Sequence, residues 1–534
     1  MHEIITLQLG QRSNYLATHF WNTQESYFTY SESEESLVDH DIHFRPGLGA
    51  DGSETFTPRT LIYDLKGGFG SLRKVNALYE IEEPAGPQGL WNGPTIIQRQ
   101  AAIEQSVYQQ SLDQGLEPPL LTTDSVRYWS DFNRVYFHPK SVIQLNEYEL
   151  GSALMPFEKW SVGEDLFNSL DKEHDILDRD LRSFVEEADC MQGIQMIASV
   201  DDAWGGFAAR YMDRIRDEFG KTTVYFWGLE AGFGSVPREK RFNQLSNTAK
   251  STSEIAQQVS LFVPMTIPQA MLPSYVMLDP KSRWHVGGLL STAYETMTLL
   301  SRLRLGSASR RSLDELVSVL NVNGNQNIAK CRMSIGQKDA QNEHLKSARL
   351  EERVRSRDTR APSQERRGEE GPFSQKYQDL KPLDMDFFPT ETDERGRGQK
   401  VTKETHVFAR AEIFRADDQK ENELEETDEN VGHERARRRA AGLPIIQKSR
   451  VSLSYPLLDS FPHIFAHSST ASSLRVSTSL STDTTVAMRM KNLQNIVSRA
   501  VGVDEREALG NSLGDLAEAY QEGWDSGTED DDDD

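Results

Sequence analysis

The sequence predicts an α/β fold, a parallel sheet wound with helices, followed by a second α+β domain. Three observations predict it. Between residues 160 and 234 apolar positions recur first at helical spacing and then as a short continuous run, and the same order is repeated. Helix, strand, turn, helix, strand is the signature of parallel strands joined by crossover helices. The chain also opens on a strand followed by a helix, and its 534 residues exceed what a single core fills.

Residues 4–9 are β-branched and alternating, a strand that Gly10 ends. A helix starts within residues 14–21, so GQRSN reads as a strand-to-helix turn whose backbone N–H groups can hold an anion; Gly10 serving the turn alone is the other reading. Residues 31–58, acidic and glycine-containing, read as a long surface loop. Residues 60–64 form a strand, and LKGGFGSLR after it is a glycine-rich turn ahead of a possible helix. Gly68 and Gly70 supply G-x-G, but Arg73 stands where a dinucleotide fingerprint has its third glycine.

Leu166, Leu170, Leu177, Leu181, Phe184 and Ala188 make one helical stripe, Gly193 stops that helix, and residues 194–200 are a strand. Phe207, Tyr211, Met212, Ile215 and Phe219 form the next stripe, before a strand at 222–227. In parallel sheets ligands sit where a strand's carboxyl end feeds a helix, which directs attention to the turn 201–206.

Residues 235–283 show little periodicity; 261–263 and 275–278 read as short strands among prolines. Leu289, Ala293, Met297 and Leu300 form a helical stripe, Leu313, Leu316, Val317 and Leu320 another, and 328–335 is a strand. The division that follows is an N-terminal domain at 1–240, with an insertion at about 76–155, and the start of a second domain at 241–335. A charged insertion at 336–404 follows, disordered at least over 336–382, where large apolar residues are too few to repay ordering. The second domain resumes at 405–465, with 405–414 as a strand pair and 417–440 as a charged linker. That linker ends in Arg435, Arg437, Arg438 and Arg439, a solvated run or a patch for an anionic lipid or acidic partner. A Ser/Thr-rich linker at 466–485, a helical segment at 486–521 with Val486, Met490, Leu493 and Val497 on one face, and an acidic tail at 522–534 complete the chain.

A formal net charge of −24 and a mean hydropathy of −0.60 argue against a protein that grips nucleic-acid phosphates through a basic face. Cys190 and Cys331 make neither a disulfide framework nor a zinc site. No run approaches the roughly 18 apolar residues of a spanning helix, and the N-terminus has neither a signal core nor an Arg-rich presequence. G-x-x-x-x-G-K-[ST], G-x-S-x-G and H-E-x-x-H are absent, and the histidines show no ligand spacing. His138, beside Pro139, reads as a packed or turn residue.

Three stretches carry a resemblance. MHEIITLQLGQRSNYLATHFW resembles the opening of tubulins, TPRTLIYDLKGGFGSLR their second nucleotide loop, and VEEADCMQGIQMIASVDDAWGGFAARYMDRIRDEF the elements around their phosphate loop. Between them lies VRYWSDFNRVYFHPKSVIQLNEY, residues 126–148, which ordinary tubulins lack. Together these identify the chain as a member of the misato family, which includes fungal members associated with mitochondrial inheritance. The resemblance covers roughly residues 1–335. It implies a tubulin-like fold and a nucleotide site at Gly10, Gln11, Asn14, Asp64, Gly205 and Gly206. It also implies a role in partitioning mitochondria and their DNA, peripheral to the mitochondrion with a cytoplasmic pool.

The site departs from the tubulin pattern. Arg12 and Ser13 replace Cys and Gly, Lys66 replaces a carboxylate, and Phe-Glu-Lys replaces the Ala-Gly-Asn-Asn turn ahead of Trp160 and Gly163. Where tubulins carry GGGTGSG, this chain has Asp201, Asp202, Ala203, Trp204, Gly205, Gly206 and Phe207. Trp204 obstructs the approach of a phosphate to backbone N–H groups. A carboxylate about 4 Å from a phosphate costs on the order of 4 kcal/mol at an effective dielectric of about 20. Asp201 and Asp202 therefore repel a nucleotide, hold a metal that bridges to it, or simply cap the helix. In LGSASRRSLDEL, Arg310 and Arg311 replace the Asn and Asp of the tubulin hydrolysis loop, while Asp314 and Glu315 belong to the next helix, so GTP hydrolysis is not expected.

The sequence-based expectation is a non-catalytic tubulin-like protein without a required cofactor, working through protein partners that are cytoskeletal or on the mitochondrial surface. Two alternatives stay open: a degenerate GTP-binding protein that assembles like tubulin, and a cytoskeletal or chaperonin-linked adaptor.

Overall fold

The computed structural model describes residues 2–29, 35–48, 54–72, 103–232, 236–268, 271–307, 309–336, 383–390, 405–416, 437–438, 443–466 and 472–521. The chain opens with β1 (Glu3–Leu9), α1 (Gln11–Glu25), the antiparallel pair β2 (Phe44–Leu48) and β3 (Glu54–Pro58), then β4 (Thr60–Lys66), α2 (Val107–Asp113) and β5 (Val142–Glu149). There follow α3 (Trp160–His174), α4 (Arg182–Glu186), β6 (Met191–Ser199), α5 (Ala203–Glu218), β7 (Thr223–Leu229), α6 (Arg238–Ala256) and β8 (Leu261–Met265). The sheet order is β5-β4-β1-β6-β7-β8, and every pair is parallel. Its middle strands are buried on both faces, as crossover helices require. Leu7, Tyr63, Met196 and Phe226 face Leu166, Phe207 and Met212 of α3 and α5; Ile62, Ile197 and Trp227 face Leu16 and Phe20 of α1 on the other side.

On that second side lies α7 (Arg283–Thr298), buried along most of its length. Beyond it come α8 (Leu313–Leu320), β9 (Lys330–Gly336), β10 (Met385–Asp386), β11 (Val407–Arg415), β12 (Ile445–Val451), β13 (Tyr455–Pro456) and β14 (Ser473–Asp483). These strands form a mixed sheet, β10-β9-β14-β11-β12, with β13 beside β14; β11 and β12 run parallel and the other pairs antiparallel. The helices α9 (Thr485–Ala500) and α10 (Val503–Glu518) pack on α6.

Since α7 packs against α1 and against β9, β11 and β14, it is shared by both sheets. Its Glu295 accepts from Arg302 Nη2 at 2.7 Å and Tyr27 OH at 3.0 Å, and its other oxygen pairs with Arg415 of β11. Burial alone would raise the Glu295 carboxyl, but Arg415 and Arg302 hold it below its usual range.

The α/β class and the second domain stand as the sequence predicts, and several elements differ. Gly193 does not stop a helix; it lies inside β6, paired with Ile4 and Thr223. The stripe ends earlier, where Asp175 takes φ 43° after α3, so Leu166 and Leu170 lie on one helix and Leu177, Leu181 and Phe184 on the next helical stretch. The expected loop 31–58 contains β2 and β3, where Val38, Ile42 and Phe44 are buried. The helix α6 has no counterpart in the prediction because its buried face is largely Asn247, Thr248, Ala249, Ser251, Thr252 and Ser253, too polar to show periodicity.

Pro264 sits within β8, tolerated because β8 is the sheet's edge and one side needs no ladder donor. Residues 275–278 make only an isolated bridge, Val276 to Phe465. The Ser/Thr stretch read as a linker is β14, placed between β9 and β11. Val476, Thr478, Leu480 and Thr482 are buried there, since β-branched threonines suit a strand paired on both sides. Of the expected strand pair at 405–414, residues 407–414 belong to one strand, β11. Within the expected insertion, β10 pairs with β9 and brings Phe387 and Phe388 into the core. Residues 337–382 and 391–404, the charged run apart from Arg437 and Arg438, Arg73 and the tail 522–534 lie outside the described residues.

Candidate functional site: the cleft at the carboxyl end of the parallel sheet

The carboxyl ends of β1, β4, β5 and β6 open onto a cleft of about 420 Å³. Its lining includes Gln11 and Arg12 from α1, Ser199 and Asp202 after β6, Trp204, Arg283 at the start of α7, and the segment after β5 through Phe157 and Glu158.

Gln11 begins α1 directly, so GQRSN is not a free turn; Gly10 alone makes it, with φ 82°, and the N–H of Asn14 is already bonded to the Gly10 carbonyl. The lack of a side chain at Gly10 has a second cause. A Cβ there would collide with the Trp204 indole, which lies on the glycine and is 5% exposed. The ring of Phe157 packs against Trp204 edge-on at 5.1 Å.

Asp64 is fully buried at the end of β4. Its Oδ2 accepts from Gln11 Nε2 at 2.5 Å and Asn14 Nδ2 at 2.7 Å, and its Oδ1 accepts from the Leu65 N–H at 2.9 Å. Gln11 also donates to the Gly68 carbonyl at 2.7 Å, as does Trp129 Nε1 at 2.9 Å, so the WSDF element braces the second glycine loop. Burial pushes the Asp64 carboxyl up to about 7, opposed by the bonds from Leu65, Asn14 and Gln11.

Arg12 pairs with Asp201 and lies 3.8 Å from Asp202. Burial works against its charge, but both carboxylates outweigh it and hold the guanidinium above its ordinary value. The second oxygen of Asp201 accepts from the Ala231 N–H at 2.8 Å. Asp202 caps α5, accepting from the Trp204 N–H at 3.0 Å. Desolvation raises the Asp202 carboxyl to about 6, with Arg12 opposing and Asp201 adding to the rise. Thus Asp202 is the helix cap, Asp201 is an ion-pair partner, and the cation beside the two carboxylates is the chain's own Arg12. Among the described residues no group of three or more His, Cys, Asp or Glu is placed to hold a metal.

Gly205 and Gly206 turn away from the cleft. They lie within α5, where a Cβ would strike Ser251 of α6 or the Trp160 carbonyl of α3, so their smallness serves helix packing. Four predicted residues, Gly10, Gln11, Asn14 and Asp64, therefore converge, and two do not. Sequence reasoning missed the roles of Arg12 and Phe157 and the presence of Arg283 and Ser199 in the cleft lining. Arg12 had a signal: a cation appears in the first loop while two acids appear in the phosphate loop, a paired change that implies contact. On the hydrolysis side, Glu315 is engaged in a capping box with Ser312 at the start of α8. His138 is buried, accepts from the Lys140 N–H and packs edge-on to Phe184; burial lowers it to about 4.

Comparison with known proteins gives two matches that share the chain. The Misato Segment II tubulin-like domain matches residues 2–114, and a tubulin domain matches 118–303. Protein dml-1 of Neurospora crassa is 51% identical over the whole of both chains, Protein DML1 of Coccidioides immitis 48% and Protein DML1 of Gibberella zeae 46%, each again over full length. The chain belongs to the Misato/DML1 family. In this Misato/DML1 member the cleft is built across both matched segments: Gly10, Gln11 and Asp64 come from the first, and Asp201, Asp202 and Trp204 from the second. Among the described residues no helix is long and apolar enough to cross a membrane.

Proposed function

We propose that this Misato/DML1 protein is a non-catalytic tubulin-like scaffold that acts, through protein partners, in partitioning mitochondria and inheriting their DNA. It works at the mitochondrial periphery and has a cytoplasmic pool. The mitochondrial part rests on the misato resemblance. The non-catalytic part is supported chiefly by the Trp204 indole lying on Gly10, where a phosphate would approach the backbone of the first loop. Three further features agree: Arg12 is taken by Asp201, Gln11 and Asn14 are spent on Asp64, and Gly205 and Gly206 are spent on helix packing.

A degenerate GTP site is the second reading, favoured by the cleft that remains beside Gln11. Calorimetry of GTP and GDP on nucleotide-stripped protein, with and without magnesium, separates the two. The scaffold reading expects no heat from the natural chain, with or without magnesium. Micromolar, magnesium-dependent binding by the natural chain would overturn it. The cellular part is tested by replacing the chromosomal gene with the natural chain or a deletion; mitochondria and mitochondrial DNA segregating normally without the protein would reject it.

A further inference from the structure

The segment that closes the cleft also projects from it. β5 pairs with β4 from Val142 to Leu145, then leaves the ladder, and the next partners are Lys66 and Glu149. The displaced stretch brings Tyr148 against Phe157 with ring centroids 5.1 Å apart, and Phe157 rests in turn on Trp204. Between these two pinned ends the chain runs Leu150-Gly151-Ser152-Ala153-Leu154-Met155-Pro156. Leu154 is 95% exposed and Met155 54%, while Ala153 and Pro156 beside them are exposed as well. Single exposed apolar residues are ordinary, but two adjacent ones on a projection with an aromatic base are not.

The charge within the segment itself is one-sided, while Lys66 on the neighbouring strand stands opposite Glu149, and Arg12 and Arg283 line the cleft beside it. From residue 142 to 158 there is no lysine or arginine, and there are three glutamates. Glu158 is paired with Lys240 at 2.8 Å, whereas Glu147 and Glu149 are exposed and have no ion pair among the described residues. An anionic lipid surface would repel such a tip, because acidic groups beside an apolar anchor oppose the negative potential of the leaflet. A protein groove with a basic rim would attract it.

We propose that segment 147–158 is a docking knob for a protein partner whose apolar groove is rimmed by lysine and arginine. Leu154 and Met155 enter the groove, and Glu147 and Glu149 meet the rim. Trp204, which occupies the phosphate approach, is the floor that holds the knob in place through Phe157. The proposal rests on the reading of the chain as a partner-binding scaffold and names the surface that reading needs.

The test places the photocrosslinker p-benzoylphenylalanine at Leu154 in the full chain expressed in its own host, with the same group at Met271, also almost wholly exposed, as control. A discrete protein adduct is expected from position 154 and not from 271. The cross-linked partner peptide should carry apolar residues flanked by lysine or arginine. Adding Glu147→Lys and Glu149→Lys should reduce the adduct at least about tenfold, because like charges then face each other. No adduct, an adduct unchanged by charge reversal, adducts to lipid alone, or adducts to a second copy of this chain would each overturn the proposal. Leu154→Asp with Met155→Asp, scored for mitochondrial DNA retention, keeps the two readings apart. Normal retention rejects the knob and leaves the scaffold standing, whereas nucleotide binding in the calorimetry removes the scaffold whatever the knob does.

Discussion

At the junction of the two sheets, Glu295 spends both carboxylate oxygens on Arg302, Arg415 and Tyr27, and none of the three charged side chains meets solvent. At the cleft, Asp201 also spends both oxygens, on Arg12 and the Ala231 N–H, yet Arg12 stays 31% exposed. The junction joins elements distant in sequence: Tyr27 from the end of α1, Glu295 from α7 and Arg415 from β11. The cleft cluster joins two loops that tubulins use to hold a ligand. One buried ion cluster fastens domains together, and the other fills a place that the resemblance assigns to nucleotide. The difference should appear in how much each region loses when it is cut.

The largest effect is expected from Glu295→Ala, which leaves two guanidinium groups buried against each other. A loss of about 3–5 kcal/mol in denaturant unfolding is expected, with both sheets affected since α7 serves both. A loss under about 1 kcal/mol would mean that the junction is not a fastening. Trp204→Ala should follow, at about 3 kcal/mol, because a large buried ring is removed from between Gly10 and Phe157. If it costs nothing, the indole is not a structural filler.

Third is a pH effect at Asp64. Its folded carboxyl keeps the proton up to about pH 7, whereas the unfolded one releases it near pH 4. The unfolded chain therefore binds fewer protons between those values, and stability falls as the pH rises through them. Relative to Asp64→Asn, the natural chain should lose about 2 kcal/mol between pH 5 and pH 7, read from unfolding midpoints at matched ionic strength. A flat difference would place Asp64 in its charged form throughout. Arg12→Gln should cost about 1.5 kcal/mol, less than the junction because Arg12 is nearer water. Smallest is Glu158→Gln, whose exposed pair with Lys240 should move stability by no more than about 0.5 kcal/mol, which a thermal melt can bound.

Legibility in the sequence followed the kind of residue that does the burying. The strands β1, β4, β6 and β7 and the helices α5 and α7 could be read because enough of their buried positions are large apolar residues, as a short run in the strands or at helical spacing in the helices. The helix α6 and strand β14 could not, because Ser and Thr fill about half of their buried positions, and a buried hydroxyl is acceptable only once a partner is in place. Ser251 Oγ donating to the Val200 carbonyl at 2.9 Å is such a case. The same holds at the site. The departures at Arg12, Asp201, Asp202 and Trp204 are visible in the sequence, but repulsion, metal binding and capping all remained possible.

By itself the sequence determined the α/β class, the strand-to-helix order, the family, and the loss of the glycine-rich phosphate loop. Each of these is local, set by period, by side-chain size or by a short run of residues. Only the tertiary structure decided that Asp201 takes Arg12 while Asp202 caps α5, that Gly205 and Gly206 serve helix packing, and that Trp204 lies on Gly10. Only it decided that the Ser/Thr stretch is an inner strand and that Leu154 stands out on a braced projection. Those outcomes depend on which side chains meet across long separations in the chain, and pairing of that kind leaves no period to read.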